Sequence, residues 1–491
     1  MPLPPRPLEP PVRRAKIVAT IGPALDDRDR LKAALQAGVD VVRLNFSHGD
    51  HETHARRLAM VREIADELGR NIGSLADLQG PKIRLGILPD DGVPLTPGGE
   101  VTLVPGHEEL DGYVDHEGNP RLPVVYDALA HDVHPGGLIL VDDGSIRLVV
   151  AAVLDGEVRA RVVAGTLAKS RKGVNLPGIA VSAPSLTEKD LEDLRLAVEL
   201  ECDWIALSFV RRPEDLQQAK QHIEELGGQA PVVAKLEREE AVDDLSEVVL
   251  ASDAVMVARG DLGVEIGPER VPALQKDIIH KANEEARPVI TATEMLESMI
   301  ESPRPTRAEA NDVANAIFDG TDAVMLSAET AAGRYPVEAI RTMARIIEVA
   351  ESTPTLLHPF RPHQEERRVA RVVAGAACQV AEDVGAVAIA VYSLTGSSLQ
   401  MISTFRPPTP VVGLTPDART LRRAALLWGA EATTVPVKHE STQLVESAER
   451  TLVDQHYAEE GDRIVVVSGV PGVGGSTNRI MVHTIGDPFD T

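Results

Sequence analysis

The 491-residue chain has only two cysteines, Cys202 and Cys378, which excludes a disulfide scaffold and a cysteine-rich zinc site and fits a reducing compartment. Both read as buried small apolar residues rather than nucleophiles. Aromatics are scarce: 2 Trp, 5 Tyr and 6 Phe leave few platforms for stacking bases. Cations are outnumbered, 50 Lys+Arg against 75 Asp+Glu, and the formal net charge of −25 argues against a nucleic-acid partner. No apolar run approaches the roughly 20 residues of a membrane span, so a membrane is not an expected partner either. The first eleven residues hold 6 prolines and no apolar stretch, so 1–13 reads as an extended Pro-rich leader, not a secretory signal. A cytoplasmic location is the expectation. What is present is ordinary for a globular chain: 43% hydrophobic and 25% charged is too apolar for disorder. At roughly 100–200 residues per domain, the length predicts two to four domains.

Eight short apolar runs stand out, at 16–21, 39–46, 71–76, 204–209, 231–234, 254–258, 288–292 and 323–326. Each is rich in Val, Ile, Ala or Leu without polar alternation, as in parallel strands buried on both faces. Helical spacing fills most gaps between them. Eight β-α units predict a (β/α)8 TIM barrel over 14–82 and 181–352. The long third gap has a different texture. From 83 to 180, short alternating stretches lie between turn signals such as Asp142-Asp143-Gly144 and Asp155-Gly156, predicting an inserted all-β lid domain in the form of a β-barrel. Beyond a linker at 354–362, a helix at 368–384 and strands at 386–392, 410–414 and 463–468 predict a C-terminal α/β domain over 353–491. Asp253-Ala-Val-Met256 and Asp322-Ala-Val-Met325 are alike, but four residues are too few to establish a repeat.

Active sites of such barrels lie at the C-terminal ends of the strands. Polar residues collect there: Arg43, Asn45, Ser47 and His48; Asp77, Lys82 and Arg84; Lys235 and Glu237; Arg259 and Asp261; Thr293 and Glu294; Ser327 and Glu329. Glu237 and Asp261 suit a divalent, oxygen-seeking ion. Arg43, Arg84 and Lys235 suit phosphate groups and developing charge. Together they point to phosphoryl transfer, which rests mostly on positioning and electrostatics.

Several longer runs carry a resemblance. Ala15-Lys-Ile-Val-Ala-Thr-Ile-Gly-Pro23, Val42-Arg-Leu-Asn-Phe-Ser-His-Gly49, Lys172-Gly-Val-Asn-Leu-Pro-Gly178, Ala258-Arg-Gly-Asp-Leu-Gly-Val-Glu265, Thr293-Glu-Met-Leu-Glu-Ser-Met299, Pro303-Arg-Pro-Thr-Arg-Ala-Glu309 and Leu326-Ser-Ala-Glu-Thr330 closely resemble the pyruvate kinases, in order and through all three inferred domains. The resemblance implies phosphoryl transfer from phosphoenolpyruvate to ADP, giving pyruvate and ATP in glycolysis. It implies that Lys235 and Arg43 face the phosphoryl group, and that Thr293 lies beside the substrate carboxylate and the proton-delivery path. It also implies that Gly260 and Asp261 present N–H groups to that carboxylate. Glu237 and Asp261 match the ligands of Mg2+ (or Mn2+). His48, Arg84 and Lys189 match residues near the nucleotide phosphates, with Asn45 beside them. The resemblance further implies an allosteric homotetramer. Its effector region falls at Thr395, Ser397, Ser398, Gly472 and Gly474, for a sugar phosphate or a nucleotide.

One departure matters. Asn45, Ser47, Asp77 and the Leu78 carbonyl match a K+ site, yet Lys82 stands where K+-requiring members carry glutamate. A tethered ammonium can replace a bound cation, so K+ is not expected to be required. Two motifs read as structural: Thr306-x-x-Glu309 as a capping box, and His51-Glu-Thr-His54 as a solvated helix start. The competing readings are another Mg-dependent enolpyruvate enzyme on the same barrel, and a non-catalytic or regulatory paralogue. Dependence on ADP separates the first, and the presence of Lys235, Glu237, Asp261 and Thr293 argues against the second.

Overall fold

The computed structural model describes residues 13–353, 369–437, 440–469 and 477–488. The expected linker at 354–362 and residues 1–12 of the expected leader lie outside these. Arg13 belongs to the barrel, where it pairs with Asp40 at 2.7 Å.

Eight strands close into one parallel barrel in chain order: Lys16–Thr20, Val41–Asn45, Gly73–Asp77, Trp204–Leu207, Val232–Leu236, Ala254–Ala258, Val289–Ala292 and Ala323–Leu326. Nearly every strand residue is buried, because the barrel interior covers one face and the surrounding helices cover the other. The fourth strand stops two residues short of its apolar run, and Phe209 just beyond it takes φ 54°. The fifth runs on to Leu236, so Lys235 sits inside a strand, in register with Met256. No helix among the described residues is long and apolar enough to cross a membrane.

A fourfold device at the barrel floor goes beyond the Asp-Ala-Val-Met similarity. An aspartate immediately precedes strands two, four, six and eight, and its Oδ2 accepts an N–H from the start of the strand before. Asp40 takes Ile17 at 2.8 Å, Asp203 takes Ser74 at 2.9 Å, Asp253 takes Val232 at 2.8 Å and Asp322 takes Val289 at 2.8 Å. Each carboxylate also faces a cation: Arg13 at 2.7 Å, Arg422 at 2.8 Å, Lys220 at 2.9 Å and Arg406 at 3.7 Å, respectively.

The inserted domain is a six-stranded sheet with a separate two-stranded piece. Its edges meet at Arg84 and Leu85, through single bridges to Gly173 and Val124. The C-terminal domain is a five-stranded sheet in the order Ala430–Thr434, Val411–Thr415, Ala388–Tyr392, Arg463–Ser468, Arg479–Thr484, the last antiparallel. Its two edge strands are additions to the expected set. They are half-exposed, and neither carries more than three apolar residues in succession, too short a run to mark a strand.

Barrel closure leaves little room where strand one meets the helix Ala328–Ala331 behind strand eight. A Cβ on Gly22 would lie 2.4 Å from the Ala331 carbonyl oxygen. Gly22→Ala is expected to cost about 1–3 kcal/mol through overpacking, read as a lowered thermal midpoint. Gly112→Ala, with nothing within 4 Å, serves as the neutral control.

Candidate active site

Strands two, three and five carry Arg43, Asp77 and Lys235 to the same end of the barrel, with Asn45 in register with Asp77. Asp77 is buried and uses both oxygens: Oδ2 accepts from Arg43 Nε at 2.6 Å, and Oδ1 lies 3.2 Å from Lys235 Nζ. Arg43 Nη1 also donates to Thr20 Oγ1 at 3.0 Å. Lys235 Nζ meets Glu237 Oε1 at 2.9 Å and donates to Ser208 Oγ at 2.6 Å. Burial alone would lower the ammonium's pKa, but the carboxylates of Asp77 and Glu237 outweigh it and raise it. Burial likewise pushes Asp77 up, and Lys235 and Arg43 bring it below the usual carboxylate range. Lys235 is therefore a standing cation at neutral pH.

Glu237 Oε2 accepts from the Phe209 N–H at 2.8 Å. Its pKa is raised by burial first, and the carboxylate of Asp261 adds to that against the pull of Lys235. Asp261 lies in the first turn of the helix Arg259–Ile266, with Lys82 Nζ 3.2 Å from its Oδ1. Among the described residues no three His, Cys, Asp or Glu side chains form a metal cluster. Two carboxylates whose charges repel fit Mg2+ well, because that ion takes one or two protein carboxylates and completes its shell with water and substrate oxygens.

Thr293 has φ 67°, an uncommon conformation for a β-branched residue and one that marks a constrained site. Its hydroxyl donates to Ala292 O at 2.7 Å and accepts from the Gly260 N–H at 2.9 Å. The Gly260 N–H expected to face a substrate is thus already used by Thr293. Arg259 braces this corner, with Nη2 on Thr293 O at 2.6 Å and Nη1 2.7 Å from Asp312. Buried Glu329 accepts from the N–H groups of Leu296 at 3.1 Å and Ser327 at 2.7 Å, tying together the loops after strands seven and eight.

The other rim residues fall around this centre. Burial, then the charges of Arg84, Arg43 and Lys82, lower the pKa of His48, so the imidazole is neutral at pH 7 amid converging cations. Arg84 Nη1 reaches Arg171 O of the lid at 3.3 Å. Lys189 Nζ donates to Phe46 O at 2.8 Å and meets Asp193 at 2.5 Å. Asn45 Oδ1 accepts from the Ser47 N–H at 3.1 Å, and Leu78 O accepts from Ser208 Oγ at 2.7 Å. A cleft of about 1090 Å3 opens between the lid and the helix Arg259–Ile266, with Lys82, Asp261 and Thr293 among its walls. In the C-terminal domain, Thr395 Oγ1 lies 3.2 Å from Ser397 Oγ, and Ser398 Oγ lies 2.5 Å from Thr477 Oγ1. Gly472 and Gly474 lie outside the described residues. The capping box at Thr306 is present. The solvated reading of the His51–His54 segment needs correction: His54 is buried and stacks on Phe46 at a centroid distance of 4.5 Å.

Ser208 and Thr20 were missed. Thr20 ends the first barrel strand and Ser208 directly follows the fourth, which is the available signal, but a lone hydroxyl at the end of an apolar run looks like any strand terminus. Ser208→Ala is expected to cost about 1–3 kcal/mol, because it strips a buried ammonium of an acceptor and the Leu78 carbonyl of a donor. Thermal unfolding against the unaltered chain measures it.

The barrel-domain family model described as "Pyruvate kinase, barrel domain" matches residues 12–340, and "Pyruvate kinase, alpha/beta domain" matches 371–483. The chain is 44% identical over 476 residues to a pyruvate kinase of Mycobacterium tuberculosis, covering 97% of this chain and 99% of that one. A pyruvate kinase of Corynebacterium glutamicum is also 44% identical, covering 97% and 98%. The crystal structure of a pyruvate kinase from Cryptosporidium parvum superposes with a TM-score of 0.87 at 33% identity, covering 96% of each chain. From its standing lysine cation to its three-part architecture, this chain belongs to the pyruvate kinase family, and it is a phosphotransferase.

Proposed function

We propose that this enzyme transfers the phosphoryl group of phosphoenolpyruvate to ADP, yielding pyruvate and ATP. The observation that carries the reading is Lys235, held between Asp77 and Glu237 with Arg43 on the far oxygen of Asp77. Two cations with fixed positions suit the charge that equatorial phosphoryl oxygens gain, which is the main demand of this chemistry. Because its neighbours keep Lys235 protonated, it acts as a cation and not as the proton donor. Thr293, constrained and bonded to Gly260, orients the substrate carboxylate against the start of the helix Arg259–Ile266. Glu237 and Asp261 hold Mg2+ or Mn2+, which when bound supplies charge neutralisation to substrate oxygens. Arg84, His48, Lys189 and Asn45 serve the nucleotide side. On family grounds the reading extends to an allosteric homotetramer in the cytoplasm, with a sugar phosphate or nucleotide as effector at Thr395, Ser397 and Ser398. Lys235→Met is expected to lower pyruvate release at least about a thousandfold. Its circular dichroism should be unchanged, since Arg43 still neutralises Asp77. A variant that keeps most activity would remove the assigned role, and pyruvate release without ADP, with the phosphoryl group passing to water as inorganic phosphate, would favour another Mg-dependent enolpyruvate enzyme on the same barrel.

K+ independence is the finer part of the reading. Both oxygens of Asp77 are taken by Arg43 and Lys235, and the Lys82 ammonium already stands in the cleft on Asp261. Activity with tetramethylammonium as the only monovalent cation is expected to match that in K+, and Lys82→Glu is expected to create a K+ requirement. Activity that collapses without K+ in the unaltered enzyme would overturn the idea.

A further inference from the structure

The lid returns to the barrel through residues 176–183, and this segment is gripped from both sides. Arg211, just beyond the fourth strand, donates to Val181 O and, from Nη2, to Ala183 O at 3.0 Å. Arg238, just beyond the fifth, donates from Nη2 to Ile179 O at 2.9 Å. Alternate carbonyls at 179, 181 and 183 thus take barrel arginines, the period-2 alternation of extended chain. Ser182, between them, is held by the lid: its N–H donates to Asp132 Oδ2 at 2.9 Å and its hydroxyl to Oδ1 at 2.5 Å. Tyr126 donates to the same carboxylate.

Arg238 does not act alone. Its Nη1 meets Glu265 Oε2 at 3.1 Å, and Glu240 flanks it at 3.2 Å. Glu265 stands on the helix Arg259–Ile266, whose first turn carries Gly260 and Asp261. A cavity of about 30 Å3 lies between the outgoing segment at Pro81–Ile83 and the returning one, walled by Phe209, Arg211 and Arg238. That is room for one water.

We propose that Arg211 and Arg238 are positioning residues that set the angle of the lid over the active site. In this arrangement the Arg238–Glu265 pair couples the lid to the helix that bears the metal and carboxylate site. The proposal rests on the reaction proposed above for its kinetic readout, but not for its structural one.

Spin labels on Ala151→Cys in the lid and Ala308→Cys on the barrel, both exposed positions, report the lid–barrel distance in the full chain. The unaltered chain, labelled in parallel, gives the background from Cys202, which is buried, and Cys378, which is partly buried. Arg238→Met and Arg211→Met are each expected to broaden the distance distribution and to halve or abolish its shift on adding phosphoenolpyruvate with Mg2+. In turnover, kcat is expected to fall about tenfold while the KM values for both substrates rise together, as for hinge residues. Arg238→Lys should recover part of both effects. Adding Glu265→Gln to Arg238→Met should cost less than the two single losses combined. A folded Arg238→Met with an unchanged distribution overturns the proposal, as does a lower kcat at unchanged KM and distance, which reports only lost folded enzyme. If Arg238→Met does not fold, Ser182→Ala, at an exposed side chain, takes its place; broadening supports the proposal and an unchanged distribution overturns it. If the unaltered chain transfers no phosphoryl group, the reaction fails, and the ligand-free distance widths still decide whether Arg211 and Arg238 set the lid angle.

Discussion

The site depends on one buried carboxylate. Asp77 engages Arg43 with one oxygen and Lys235 with the other, and neither cation could be held so close to its companion without it. Two like charges at short range repel strongly where water is excluded. Asp77 offsets that repulsion, and it does so from the end of a strand whose register is locked on both sides. Glu237 repeats the device two strands further round, just beyond the fifth strand, taking Lys235 with one oxygen and a backbone N–H with the other. The rim is thus a network of alternating charge in which each member has lost the freedom to wander. Such preorganisation lets charged groups act on a transition state without reorganising at that moment.

Much of the architecture was legible in the sequence because buried parallel strands leave a plain signal. Val, Ile and Ala runs bounded all eight barrel strands to within a few residues. The misplaced ends have local causes: Phe209 turns into positive φ, and Lys235 lies in a strand because its long stem stays in the wall while its ammonium reaches the mouth. Partly exposed edge strands at Ala430–Thr434 and Arg479–Thr484 had no such signal. Within the site, charged residues at strand ends were readable, since charge at the mouth of a barrel demands a reason. The groups that orient them were not. Ser208 and Thr20 are ordinary residues until the fold sets them beside a cation, and no spacing rule reveals that the Gly260 N–H is taken by Thr293. His54 shows the converse, a polar residue in a polar helix start that tertiary packing buries against Phe46.

The surplus of 25 negative charges and the anionic chemistry are compatible because the two act over different distances. Surface carboxylates are screened within roughly 10 Å at ordinary ionic strength, whereas Arg43, Arg84, Lys82 and Lys235 lie within a partly enclosed mouth. That local field lowers the pKa of His48: after burial, the charges of Arg84, Arg43 and Lys82 disfavour its protonation. Net charge here speaks to solubility, and the local arrangement speaks to the ligand.

The ring of aspartates at the barrel floor has a consequence for how the chain holds together. Asp203 and Asp322 take their cations from Arg422 and Arg406, which belong to the C-terminal domain, not to the barrel. Burial raises the pKa of both carboxylates even with those partners in place. A barrel cut free of the C-terminal domain would keep the two floor carboxylates and lose their counter-ions. The C-terminal domain is in this sense an electrostatic plug, and the barrel, though closed by its own hydrogen bonds, is not a severable module.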